Sequence, residues 1–280
     1  LYYELDTIRY FISGLAASKF LILEGLSGTG KSSLPRYFAK FINAEQLFIP
    51  VQATWRDRTS LVGYFNDFSK VYSETEFLTK LYNANYNPDQ IHMFVLDEMN
   101  ISRVEYYFAE MLSILEMPSR DEWIVSLVTN VVEGDPVKLD NGRLRLNGNI
   151  WYIGTINNDD STFMVTDKVY DRAMPIDINE KGVPFEPVDT DPLDVNFSYL
   201  NGLFEKAMDE YAISAATLKK IDAMDDYTIK HFRVAFGNRI VKHMRKFVPV
   251  YVACGGKEIE AIDYFIARKV FRHQRLILRC

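Results

Sequence analysis

The 280-residue chain has only two cysteines, Cys254 and Cys280, too few for a disulfide framework or a thiolate zinc site. Free thiols suit a reducing compartment, so a cytoplasmic location is expected. Its four histidines, His92, His231, His243 and His273, lack metal-ligand spacing and read as core or surface residues. No apolar run approaches the ~20 residues of a membrane span and no secretory leader is visible, so no membrane partner is expected. Basic residues do not dominate either. With 32 Lys and Arg against 38 Asp and Glu, the net charge of −6 excludes a surface that is wholly a nucleic-acid footprint, while leaving room for a local basic channel. Internal repeats and low-complexity segments are also missing, which excludes a solenoid. The chain opens at Leu1 without a methionine, as expected of a segment cut from something longer.

What is present is a phosphate-binding loop. Gly25-Leu26-Ser27-Gly28-Thr29-Gly30-Lys31-Ser32 has the spacing G-x-x-x-x-G-K-S between the apolar run 20–24 and an expected helix from near Lys31 to Asn43. The glycines let successive backbone N–H groups turn toward a β-phosphate. Ser27, Thr29 and Ser33 complete the cradle, Lys31 reaches the β- and γ-phosphates, and the Ser32 hydroxyl can bind Mg²⁺. The following helix N-terminus adds its own positive end. A second signal is the apolar run 91–96, read as a central parallel strand, which ends in Asp97-Glu98. Two adjacent acids at the end of a buried strand are costly unless they face a cation or water. Beside a phosphate loop, Asp97 takes the Mg²⁺ shell and Glu98 polarises the attacking water.

Other segments supply the frame. A helix is expected over 2–18, a strand over 47–51, a helix over 74–85, and a helix from a Ser102/Glu105 capping box to Met117. The polar loop 52–64, containing Trp55, reads equally as a solvated connector or as a working loop at the ligand-facing edge of the sheet. Residues 123–148 read as a β-hairpin insertion, with Asp140-Asn141-Gly142-Arg143 as a type I′ turn. A buried strand over 150–156 ends at Asn157-Asn158-Asp159-Asp160, and a short helix over 166–172 precedes a strand at 174–178. The expected organisation is an α/β nucleotide-binding domain over 1–180, a proline-rich linker over 181–196 and a small all-helical domain over 197–280. Its helices are expected near 197–212, 214–223, 225–235, 237–250 and 256–272.

In this order the phosphate loop, the Asp97-Glu98 strand, the strand ending in asparagine and the helical C-terminal part resemble AAA+ ATPases. More narrowly the chain is similar to the McrB-like branch, related to the dynein and midasin type of module. Asp97-Glu98-Met99-Asn100, Gly154-Thr155-Ile156-Asn157-Asn158-Asp159-Asp160, the loop 55–64, the run 166–173 and Phe236-Gly237-Asn238-Arg239 carry that match. The resemblance implies a P-loop NTPase αβα sandwich with a mainly parallel sheet and a helical lid. It implies that Asn157 is sensor 1, with Asn158 as second candidate, and that Asp160 is the acid of an Asn-x-x-Asp signature. Ser161 stands where restriction-type members carry arginine, which argues for ATP over GTP.

The resemblance also implies that Arg172 is an arginine finger for a neighbouring subunit, the alternative being a salt bridge with Asp171 or Asp177. Arg239 would be sensor 2, with Arg233 and Arg245 as competitors, and Arg103 would line an interface or channel or simply a solvated helix face. The implied function is Mg²⁺-dependent hydrolysis of ATP, or GTP, at subunit interfaces of a ring, expected to be a hexamer. It would drive remodelling or translocation for a partner such as a nuclease or DNA, as in DNA restriction or phage defence. The alternatives are a nucleotide-gated assembly scaffold with little intrinsic hydrolysis, a DNA-translocating motor, and a MoxR-like protein-remodelling chaperone.

Overall fold

The apolar strands of the sequence assemble into one parallel sheet because they are buried on both faces, which an α/β layering requires. A computed structural model describes residues 3–128, 136–159, 162–179, 185–186, 188, 190–233 and 235–272. Helix α1 (Leu5–Ala17) leads into β1 (Phe20–Gly25), α2 (Ser33–Phe41) and β2 (Glu45–Pro50). Short α3 (Thr59–Val62), the ribbon β3 (Tyr64–Asn66) and β4 (Val71–Ser73), and α4 (Glu76–Asn83) precede β5 (His92–Asp97). Then come α5 (Val104–Tyr107), α6 (Ala109–Ile114), and the small antiparallel sheet β6 (Ile124–Ser126), β7 (Leu139–Asp140) and β8 (Arg143–Arg145). The core closes with β9 (Ile150–Asn157), α7 (Asp167–Tyr170) and β10 (Met174–Asp177).

The main sheet has the order β10-β1-β9-β5-β2, all neighbours parallel. Because side chains alternate along a strand, β1 feeds two cores. Leu21 and Leu23 join Phe11 and Leu15 of α1 on one face, whereas Phe20 and Ile22 meet Tyr107, Phe108 and Leu112 on the other. The expected hairpin turn is present, with Asn141 at φ 50° and Gly142 at φ 70°, the two positive values a type I′ turn needs.

Among the described residues four helices follow: α8 (Phe197–Glu210), α9 (Ala215–Phe232), α10 (Asn238–Ala253) and α11 (Glu258–Lys269). They do not stand apart from the core. Met244, Phe247, Tyr251 and Phe265 belong to the same apolar cluster as Phe11 and Leu21, and Tyr10 stacks on Tyr264 at 3.6 Å. The stretch before α8 runs along the end of α2, where Leu193 N–H donates to Phe41 O at 2.7 Å.

Two sequence expectations are corrected. The helix expected over 102–117 is two pieces, broken at Phe108 (φ −108°, ψ 2°), whose ring is buried against Phe20 and Tyr152. Ser102 caps neither piece, because its hydroxyl donates to Trp55 O. The helices expected over 214–223 and 225–235 are one, α9, capped by Ser214 accepting from Thr217 N–H and ended by Arg233 in the left-handed region. No glycine or proline falls between its halves, so nothing stops the hydrogen-bond ladder there.

Candidate functional site

The site forms at the C-terminal edge of the sheet, where adjacent parallel strands deliver their last residues side by side. Register sets it. Gly25 of β1 is paired with Asn157 of β9, and Leu96 of β5 with Gly154 of β9, so the phosphate loop, Asp97 and Asn157 leave neighbouring strands at the same edge, Asp97 two residues short of Asn157. Neighbouring strands are about 4.8 Å apart, which brings three distant stretches of sequence within reach of one small ligand.

Gly25 has φ 154°, and a β-carbon there would meet Ile178 O at 2.1 Å. Only glycine fits, which fixes where the loop departs from the strand. Gly28 and Gly30 have φ of 79° and 92°, and the loop is braced from outside by Tyr3, whose hydroxyl donates to Gly30 O at 2.7 Å. Lys31 is buried and its ammonium donates to Gly25 O at 3.1 Å and Leu26 O at 2.6 Å. Burial pushes its pKa below the ordinary value, while Asp97, Asp159 and Glu98 pull it back. Thr29 Oγ1 donates to Leu26 O at 2.9 Å, so it stiffens the cradle from inside. Ser33 opens α2, and exposed Ser27 lies in the loop between Leu26 and Gly28.

Ser32 Oγ donates to Asp97 Oδ1 at 2.5 Å, and Thr155 Oγ1 donates to the same oxygen at 2.7 Å. A hydroxyl and a carboxylate converging beside a phosphate cradle fit Mg²⁺, which is usually held by one or two protein oxygens with substrate phosphates and water. Among the described residues there is no cluster of three or more His, Cys, Asp or Glu that could hold a metal ion. Glu98 stands in the left-handed region, φ 52° and ψ 46°, a conformation that costs a residue with a side chain about 1–3 kcal/mol. Its N–H donates to Thr155 Oγ1 at 2.9 Å and its carbonyl accepts from Ile101 N–H at 3.0 Å, which hold the turn. The carboxylate is thereby turned out, exposed and adjacent to Asp97.

Asn100 was not among the site residues expected from the sequence. It is 3% exposed and donates to Asn157 O at 2.8 Å, Thr162 Oγ1 at 2.9 Å and Phe163 O at 3.1 Å, while its Oδ1 accepts from Asn157 N–H at 3.2 Å. One buried amide thus fixes the end of β9 that presents Asn157. Thr155, which ties Asp97 to Glu98, was also missed; a threonine in a buried strand carries no signal of its own. Asn158 is exposed beside Asn157, and Asp160 lies outside the described residues.

The arginines go elsewhere. Arg172 pairs with neither Asp171 nor Asp177. Its Nε lies 2.7 Å from Glu116 Oε2, and Arg239 Nη2 lies 2.5 Å from Glu116 Oε1. Arg239 is therefore not brought to the phosphate loop of its own chain. The C-terminal end of α10 lies against the start of α1, with Tyr251 OH donating to Asp6 Oδ1 at 3.0 Å and Arg9 Nε to Cys254 O at 3.0 Å. Arg239 opens this 16-residue helix, about 24 Å from that end. Arg103 is exposed, over the rings of Phe163 and Tyr106, and Trp55 is half-buried edge-on to Tyr107 at 5.1 Å.

At the root of the loop Glu24 is buried, accepts from Tyr170 OH at 3.1 Å, and is ion-paired to Arg272 beyond α11. It is register-paired with Asp177, which Arg268 neutralises. Lys269 donates to the carbonyls of Tyr170 (2.8 Å), Asp171 (3.0 Å) and Ala173 (2.8 Å), so the last helix grips the segment that bears Arg172. Burial, with Glu24 alongside, pushes the Asp177 carboxyl up to about 7. The folded pKa is above the ordinary value, so its contribution to stability is full below about 4 and is lost as pH rises through about 7. Thermal midpoints measured from pH 5 to 8 are expected to fall across this window, and Asp177→Asn is expected to flatten that part of the profile. An unchanged slope in Asp177→Asn would remove the assignment.

No family model matches the chain. It is 24% identical over 176 residues to the Type IV methyl-directed restriction enzyme EcoKMcrB subunit of Escherichia coli (strain K12), over 58% of this chain and 35% of that one. The chain thus spans about 35% of that relative's length. Among solved structures it is similar to a candidate ATPase from Cytophaga hutchinsonii, with a TM-score of 0.60 at 13% identity, over 95% of this chain and 80% of that one. At that identity the likeness is one of fold. Among the described residues no helix is long and apolar enough to cross a membrane. With a parallel sheet covered on both faces, a helical C-terminal part, the phosphate loop beside Asp97-Glu98 and the similarity to the restriction subunit, the chain resembles AAA+ modules of the McrB-like kind.

Proposed function

We propose that the chain is a nucleoside triphosphatase, taking ATP in preference to GTP, whose complete site is shared between neighbouring copies in a ring. The observation that carries this reading is the convergence of Lys31, Ser32, Asp97, Glu98 and Asn157 on one edge of the sheet, set by strand register and braced by Thr155 and Asn100. The amides of residues 25–33 and the Lys31 ammonium would hold the β- and γ-phosphates. Ser32 and Asp97 would hold Mg²⁺, which when bound neutralises charge on the phosphate oxygens. Glu98, turned outward by its left-handed backbone, would accept a proton from the attacking water, and Asn157 would orient that water.

Arg172 is on the far side of the chain from its own phosphate loop, held by Glu116 close to the lid residue Arg239. That placement favours service to a neighbour's site over its own. Coupling to a nuclease, to DNA or to a protein client is part of the same proposal only as the use made of the lid's motion against the core. The similarity to a restriction enzyme subunit supports a nuclease partner. The test is steady-state hydrolysis of ATP and of GTP with Mg²⁺ over a hundredfold range of protein concentration. Specific activity should rise with concentration and ATP should be preferred. Concentration-independent turnover would sink the shared site, and tight nucleotide binding without turnover would favour the nucleotide-gated scaffold.

A further inference from the structure

Away from the phosphate loop, a cleft of about 480 Å³ lies between the N-terminal edge of the sheet and the lid. Its lining is unusual in charge. Lys19, Arg120, Arg172, Arg239, Lys242 and Lys246 face it, against Glu116 and Glu205. Glu116 is already paired with Arg172 and Arg239, and Glu205 accepts from Asn201 Nδ2 at 2.6 Å. Among the described residues Lys19, Arg120, Lys242 and Lys246 form no ion pair.

A helix stripe turned toward another layer is ordinarily apolar. On α10 the stripe lining this cleft is Arg239, Lys242, His243 and Lys246, spaced i, i+3, i+4, i+7, while Met244, Phe247 and Tyr251 go to the core. The Lys19 ammonium sits 3.2 Å from the Trp151 ring centroid and 4.9 Å from that of Phe197, partners that temper a cation without cancelling it. Burial pushes the pKa of Lys19 and of Lys246 down, and the charged neighbours that add to it are Arg120 with Lys246 for the first and Lys242 with Arg120 for the second, cations alone. Gathering like charges in a concave, partly dry site costs stability unless an anion answers them.

We propose that this cleft is a second binding site, distinct from the phosphate loop, for the polyphosphate group of a small molecule. The surplus of four positive charges in the lining matches a di- or triphosphate, and the volume lies within the range of small-molecule sites. The chemistry is shared by free pyrophosphate and by the phosphate tail of a nucleotide. Because Lys19 and Arg120 come from the core and Lys242 and Lys246 from the lid, an occupant would bridge the two.

The test uses the full chain carrying Lys31→Ala, so that the phosphate loop contributes little, with sodium pyrophosphate and ATP as separate probes in the absence of Mg²⁺. Each is expected to raise the thermal midpoint by about 2–4 °C at ten times its dissociation constant. On the same background Lys242→Gln/Lys246→Gln is expected to weaken binding in calorimetric titration about tenfold or more, and Lys242→Arg/Lys246→Arg to retain it. Equal shifts with both probes identify phosphate alone as the ligand; a shift with ATP only identifies a nucleotide. Should the double Gln variant fold poorly, the exposed Lys242→Gln alone carries the test through the titration. The proposal is overturned if neither probe binds, or if the Gln variants bind as tightly as the Lys31→Ala chain.

Discussion

Glu98→Gln is expected to lower triphosphate turnover by roughly 10²–10⁴-fold, the range associated with a positioned general base, while nucleotide binding stays within about threefold of the native chain. The substitution keeps size and hydrogen-bonding shape and removes only the charge that takes up the proton. Asp97 is committed to Ser32 and Thr155, whereas among the described residues no hydrogen bond or ion pair restrains the Glu98 carboxylate. The strained backbone at Glu98 is set by the N–H donated to Thr155 and the carbonyl accepting from Ile101, both of which survive in the glutamine variant. Stability should therefore be unchanged. Single-turnover hydrolysis alongside titration with fluorescent nucleotide separates the two effects. Native-like turnover in Glu98→Gln would remove Glu98 from the chemistry.

Arg172→Ala should lower turnover by about 10³-fold or more, the effect of withdrawing an arginine that neutralises the transferring phosphoryl group. Its structural cost should be small. Glu116 keeps Arg239 as its partner at 2.5 Å, so the half-buried carboxylate is not left unpaired. A large loss of rate with a thermal midpoint within about 2 °C of the native value would separate a catalytic loss from a folding one. The decisive arm mixes Arg172→Ala with Glu98→Gln. If the finger serves a neighbour, mixed rings contain some interfaces with an intact Arg172 on one side and an intact Glu98 on the other, and part of the activity returns. If Arg172→Ala turns over normally, Glu116 is its structural partner and nothing more. Glu116→Gln addresses the same contact from the other side: if the pair holds Arg172 back, loosening it should raise turnover at low protein concentration.

The fold and the loop that the proposal assigns to phosphate were legible in the sequence because each depends on contiguous residues. A phosphate loop works through the backbone of eight consecutive positions, so its chemistry is visible as spacing. The buried strands 20–25, 92–97 and 150–157 announce themselves as apolar runs, since a strand covered on both faces has few polar positions to interrupt it. Acids at the end of such a run, or an asparagine, can only lie at the sheet's edge.

The supporting residues were not legible. Asn100 is one of many asparagines until the fold places its amide within 3.2 Å of both backbone groups of Asn157. Glu116 is an unremarkable acid after a helix until Arg172 and Arg239, 56 and 123 positions later, meet on its two oxygens. The helix broken at Phe108 followed the same logic, because local propensity yielded to burial of a ring.

By itself, then, the sequence determined the layered α/β core, the phosphate loop with its glycines, the Asp97-Glu98 pair and the presence of a helical C-terminal part. Tertiary structure alone decided which strands are neighbours, and hence that Asn157 stands beside Gly25. It also decided that α10 sends Arg239 away from the phosphate loop and toward Arg172, and that lid and core face each other across a cleft lined by lysines and arginines. The reason is physical. Backbone conformation and apolar periodicity are local and recur in any chain with the same spacing, whereas ion pairs and cavities arise between long side chains on separate elements, whose partners are chosen only when packing fixes the distance between them.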